Sequence, residues 1–147
     1  MKNCIFCSII QGDIPSSKVY EDEQVLAFLD ISQTTPGHTL VIPKKHVRNM
    51  LDMDAETASQ TFARVPKIAR AVQKAMSAPA MNIINNNESL AGQTVFHAHI
   101  HLVPRYNEED GISIQYTTHE PDFPALAKLA EQIRGTFMTT RSLLTLG

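Results

Sequence analysis

Three histidines two residues apart, His97, His99 and His101, sit in the run Val95-Phe96-His97-Ala98-His99-Ile100-His101-Leu102-Val103-Pro104. Read with the period of an extended strand, Phe96, Ala98, Ile100 and Leu102 face one way, while His97, His99, His101 and Val103 face the other. The alternation predicts a strand with one face on a core, stopped by Pro104. Its other face carries imidazoles in a row. Packing does not readily explain them, because buried histidines are usually solitary and satisfied by a neighbour.

A single metal ion does not explain them either. Alternate strand residues lie roughly 6.6 Å apart, which separates His97 from His101 by roughly 13 Å. Zinc holds its nitrogens at about 2.0–2.1 Å, so two neighbouring histidines could tilt onto one ion and three could not. A neutral histidine, with a reference pKa of about 6.5, can act as nucleophile or proton carrier, and a protonated neighbour donates well to an anion. A nucleophile flanked by donors on one face suits phosphoryl or nucleotidyl transfer through a phospho-histidine.

Cys4 and Cys7 are the only cysteines, in Cys4-Ile5-Phe6-Cys7. Such a pair reads as half a zinc site or as a redox dithiol. A redox motif would follow a strand, and only three residues precede Cys4, so half a zinc site is the better reading. The remaining ligands must then come from elsewhere. His38, His46, His97 and His99 stand in plausible places.

The segment His97-Ala98-His99-Ile100-His101-Leu102-Val103 matches the His-x-His-x-His-apolar-apolar signature of the histidine triad (HIT) family of nucleotide hydrolases and transferases. Ala91-Gly92-Gln93-Thr94-Val95-Phe96 resembles the segment that leads into it. The likeness runs from Cys4 to about Arg105 and is closest to the small bacterial, zinc-containing members. The resemblance implies that His99 attacks an α-phosphorus, with His38, His101, Gln93 and Thr94 stabilising the developing charge. It implies an apolar slot for a purine base between Ile5, Phe6, Ile9, Phe28 and Ile31. Asp30 would meet the ribose, Asn86 the ribose or phosphate, and Gly92 would allow close backbone approach. A structural zinc would be held by Cys4, Cys7, His46 and His97, and the protein would be a homodimer.

The activity so implied is hydrolysis of purine nucleoside 5′-phosphoramidates or related nucleotides, releasing AMP or GMP through a nucleotidyl-histidine intermediate. A dinucleoside polyphosphate hydrolase is the alternative within the family. Two others come from different classes: a metal-dependent hydrolase with triad histidines on a catalytic ion, and a nucleotide-binding regulatory module with weak catalysis.

The elements that must position these residues follow from pattern and punctuation. Ile5, Phe6, Ile9 and Ile10 fall at helical spacing, ended by Gly12 and Pro15. Lys18–Glu21 and Val25–Asp30 read as strands, His38–Pro43 as a third, and Met81–Asn85 as a fourth. Asp54 is an N-cap for a helix over 55–76, whose stripe runs through Ala58, Phe62, Val65, Ile68 or Ala69, Val72 and Met76. Pro66 in its middle must kink it or remove hydrogen bonds. Asp122 with Pro124 starts a C-terminal helix over 122–137 with Leu126, Leu129, Ile133 and Phe137 on one face. Residues 139–147 carry no pattern.

The whole reads as one α+β domain over 1–147, its core about 4–105, with an antiparallel sheet of about five strands. A net charge of −2 gives no field favouring nucleic acid or an anionic membrane. No apolar run approaches the roughly 20 residues of a membrane span, and Lys2 before a broken apolar segment makes a poor signal peptide. The expected compartment is the cytoplasm.

Overall fold

A computed structural model describes residues 3–144, which fall into two compact units meeting in sequence at Ser113 and Ile114. In the first unit, helix α1 (Ile5–Gln11) precedes strands β1 (Lys18–Glu21), β2 (Val25–Leu29) and β3 (Thr39–Pro43). Helix α2 (Ala55–Met76) then leads to β4 (Ala80–Ile84) and β5 (Ile100–Arg105). The five strands make one antiparallel sheet in the order β1-β2-β3-β5-β4. Class and strand number agree with the sequence reading.

Both faces of the sheet are covered, which is why β2 and β3 read as unbroken apolar runs. Val25, Ala27, Val41, Ile100 and Leu102 pack with Val65, Ile68, Ala69 and Val72 of α2. The alternate residues Leu26, Phe28, Leu40 and Ile42 pack with Cys4, Phe6, Cys7 and Ile9 at α1. Cys4 caps α1, its sulfur accepting a hydrogen bond from the Cys7 amide at 3.3 Å. Gly12 ends the helix at φ 85°, a conformation side chains resist.

Helix α2 has the limits its spacing predicts, but its buried stripe is displaced. Thr57 and Thr61 are buried with Val65, Ile68, Ala69 and Val72, whereas Phe62 and Met76 are exposed and Ala58 is half-buried. Threonine can take the inner face because the Thr61 hydroxyl donates to the Thr57 carbonyl at 2.7 Å. Pro66 lies on the exposed side, where the carbonyl it deprives of a partner can turn to solvent.

The expected strand over Val95–Pro104 begins only at Ile100 and runs on through Arg105. Residues 95–99 instead lie against the chain that follows β3: the Ala98 amide donates to the Val47 carbonyl at 2.7 Å. Pro104 is tolerated inside the strand because β3 pairs with β5 only over Ile100–Leu102. The Thr35 hydroxyl donates to its carbonyl at 2.6 Å.

In the second unit, helix α3 (Phe123–Leu144) is longer than predicted and takes in part of the unpatterned tail. The Asp122 carboxylate caps it, accepting from the Ala125 amide at 3.1 Å. Leu126, Leu129, Ile133 and Phe137 are all exposed. Residues 145–147 of the tail lie outside the described residues. Among the described residues, no helix is long and apolar enough to cross a membrane.

Candidate active site

The α1 face of the sheet carries the histidines, and the partners of each ring fix where its proton sits. His99 Nδ1 lies 2.8 Å from the His97 carbonyl, which can only accept. The proton is therefore on Nδ1, and Nε2 keeps the lone pair. For His38, the Thr34 amide donates to Nδ1 at 3.2 Å, so its proton is on Nε2. That Nε2 donates to His101 Nδ1 at 2.9 Å, which leaves His101 with its proton on Nε2. Two histidines of one row thus present opposite faces: His99 offers a lone pair, His101 a proton. Their ring centres are 5.0 Å apart, and the edge of Phe6 packs against His99 with centres 5.2 Å apart. Asp30 Oδ2 stands 3.7 Å from His38 Nε2.

Burial sets the charge state of this group. It lowers the pKa of His99 and, over the opposing pull of Asp30, that of His38. Burial first, then His99 and His38, hold His101 down at about 4. An unfolded histidine titrates at about 6.5, so the unfolded chain binds the His101 proton first as pH falls. This contribution to stability is whole above pH 6.5 and drains away between there and pH 4. Urea midpoints at pH 7 and 5 are expected to fall more for the wild type than for His101→Asn. Equal losses would remove His101 as a source.

At the other end of the row, one ligand atom from each of Cys4, Cys7, His46 and His97 lies within 4.8 Å of all the others. Cys4 Sγ and Cys7 Sγ are 3.4 and 3.6 Å from His97 Nδ1, and Cys7 Sγ is 3.4 Å from His46 Nδ1. A tetrahedral ion with thiolates at about 2.3 Å and imidazoles at about 2.1 Å sets neighbouring S and N atoms roughly 3.6 Å apart. The donor set fits. His97 Nε2 donates to the Pro43 carbonyl at 2.8 Å, which turns the bare Nδ1 toward the sulfurs, the usual second support of a ligand histidine. Burial and the adjoining Cys4 raise the Cys7 thiol pKa, so two thiolates here call for a cation. Asp30, His38 and His101 also cluster, but the Thr34 amide keeps the proton on the His38 nitrogen that an ion would need.

A HIT domain model matches residues 11–108, well over half of the chain. The chain belongs to the HIT family. "Protein hit" of Bacillus subtilis is 57% identical over 122 residues, which is 83% of this chain and 84% of that protein. An adenosine 5′-monophosphoramidase of Saccharomyces cerevisiae is 38% identical over 130 residues, 88% of this chain and 80% of the relative. A crystal structure from Streptococcus mutans superposes with a TM-score of 0.90 at 64% identity, covering 93% of this chain and 87% of that one.

Around the triad of this HIT protein, Phe6, Ile9 and Phe28 form a buried apolar floor, with the rings of Phe6 and Phe28 edge to face at 5.5 Å. Ile5 is half exposed and Ile31 wholly exposed, as lips of a slot would be. A cleft of about 430 Å³ is lined by Asp30, Ile31, Leu29 and Gln33 together with Pro15, Ser16 and Ser17. Gly92 adopts φ 98° beside the Asn86 amide, and Thr94 is exposed. Gln93 differs from expectation. It is 2% exposed, and its amide is spent inside the protein on Arg48, Asn49, Glu88 and Val95. Lys44 and Lys45 are paired with Glu21 and Asp54. Arg48, Asn49 and Glu88 were not singled out from the sequence, for they carry no periodicity or motif.

Proposed function

We propose that the protein hydrolyses purine nucleoside 5′-phosphoramidates, or related nucleotides with a leaving group on the α-phosphorus, releasing AMP or GMP. The observation that carries this reading is the pair of opposed tautomers, a lone pair at His99 Nε2 beside a proton at His101 Nε2. The first is what attack on phosphorus needs, and the second is what a developing phosphoryl charge needs. The named activity of the yeast relative supports the same substrate class.

In the first step His99 Nε2 forms a bond to the α-phosphorus while the phosphorus–nitrogen bond of the substrate breaks. The departing amine takes up a proton, and His101, Thr94 and His38 (through His101) stabilise the charge on the phosphoryl oxygens. In the second step water attacks the nucleotidyl-His99, the nitrogen–phosphorus bond breaks, and the nucleoside monophosphate leaves. The base would lie over Phe6, Ile9 and Phe28, between Ile5 and Ile31. Asp30 would accept from the ribose, with Asn86 and Gly92 at the ribose and phosphate. Gln93, fully hydrogen-bonded to protein, would act through the loop it holds.

Zinc, held by Cys4, Cys7, His46 and His97, would be structural, since this donor set fills all four positions and leaves none for water. It would pin α1, and with it the wall of the base slot, to the triad. The exposed Phe62 on α2 supports a homodimer across that helix, and sedimentation of the wild type should give twice the chain mass. The test of the activity is single-turnover reaction with an adenosine phosphoramidate. Acid-labile AMP on His99, detected by mass as it forms and decays, is the expected result; turnover with no adduct at any time would sink the mechanism.

A further inference from the structure

On the hydrolase reading, the loop between β4 and β5 presents Asn86, Gly92 and Thr94 to the substrate. Its Asn85 amide donates to the His99 carbonyl at 2.9 Å, yet a short 3₁₀ turn over Ser89–Ala91 is its only regular piece. Within it, Glu88 adopts φ 77° and ψ 159°, a region kept almost wholly by glycine. Side chains from outside the loop hold it there. Arg48 donates from Nε and Nη2 to the two Glu88 oxygens, both at 2.8 Å. Asn49, 1% exposed, donates to Glu88 Oε2 at 2.6 Å and to Gln93 Oε1 at 3.1 Å. Gln93 Oε1 also accepts from the Glu88 amide at 2.8 Å, and its Nε2 donates to the Arg48 and Val95 carbonyls at 2.7 and 3.0 Å. Every donor and acceptor of the Gln93 amide is therefore used. The Arg48 guanidinium also lies 4.3 Å over the ring of Phe96, next to the first triad histidine.

We infer that Arg48, Asn49 and Gln93 form a clamp closed on Glu88, and that the clamp sets the phosphate-side loop at the distance from His99 that nucleotidyl transfer requires. The proposal rests on the hydrolase reading above. A glycine at position 88 would adopt the same backbone without strain. The carboxylate's three hydrogen bonds give a reason for glutamate there: it joins the loop to the segment after β3. All four are positioning residues, acting through the loop and not on the substrate. Small losses of alignment at a reacting centre cost rate out of proportion to their size.

Glu88→Gly separates the clamp from the fold, because it relieves strain while releasing the loop. Its thermal midpoint is expected within a few degrees of the wild type. Its kcat for an adenosine phosphoramidate should fall roughly 10- to 100-fold, with KM altered less than about threefold. Glu88→Gln, whose single amide oxygen can still accept from Asn49 and Arg48 Nε but which loses the acceptor for Arg48 Nη2, should recover part of that kcat. Hydrogen exchange at the amides of Gln93, Thr94 and Val95 should quicken in the glycine variant. Wild-type kcat in a folded Glu88→Gly protein overturns the clamp, as does a parallel fall of kcat, KM performance and thermal midpoint. If the wild type itself releases no AMP, the hydrolase reading falls, and exchange alone decides: faster exchange supports the clamp and unchanged exchange overturns it.

Discussion

Alanine at position 99 is expected to lower kcat/KM for an adenosine phosphoramidate by a factor on the order of 10⁴–10⁶, the scale seen when a covalent nucleophile is removed. The protein should remain folded, since His99 lends the fold one hydrogen bond to a neighbouring carbonyl and an edge contact with Phe6. The size of this loss against that of His101→Ala is the sharper measurement. Removing a charge-stabilising donor costs roughly 10²–10³, so the two variants should differ by roughly one to four orders of magnitude. Each variant should still bind AMP, because the base and ribose contacts proposed above lie at other residues. If His99→Ala keeps more than a tenth of the activity, the row of histidines has another purpose.

Stripping the proposed zinc is the second large effect, and it should appear in stability. Cys7→Ser, or prolonged chelation, is expected to lower the thermal midpoint by roughly 10 °C or more, because a closed structural site contributes its binding free energy to folding. Brief EDTA treatment of protein that stays folded should leave phosphoramidate turnover within twofold. The measurement pairs metal analysis with calorimetry and initial rates on one sample. Immediate loss of turnover in folded protein would place the ion in the chemistry and return the metal-dependent hydrolase to first place.

How far the sequence carried the reading depends on what each residue answers to. The sheet and α2 were legible because burial imposes a period: Val25 to Leu29 reads as a covered strand, and Asp54 opens a helix over 55–76. The triad was legible as a row on one face, but its strand was not, because Val95 to His99 lie against the segment after β3 and leave the ladder. Phe62 misled because a hydrophobic residue can be exposed, whereas Thr61 is buried through a bond to its own helix that no pattern advertises. The HIT resemblance brought Cys4, Cys7, His46 and His97 together, and the coordinates give them a common centre. Gln93 was named from the resemblance as a charge stabiliser, while the use of its amide inside the protein was not legible. That depends on Asn49, Arg48 and Glu88, about 40 residues away or turned by an uncommon backbone angle.

One consequence of the sulfur–imidazole cluster concerns synthesis. Cys4 meets His97 across 93 residues, and Cys7 meets His46 across 39. At the usual pace of about 5–20 residues per second, the first pairing waits roughly 5–20 s after the cysteines are made. During that interval β2 and β3, whose side chains cover Phe6 and Ile9, are made, but both thiols stand beside a growing chain without their final partner. What waits is the junction of the two sulfurs with His97, so a nascent chain stalled before that residue would carry a thiol-bearing end without it.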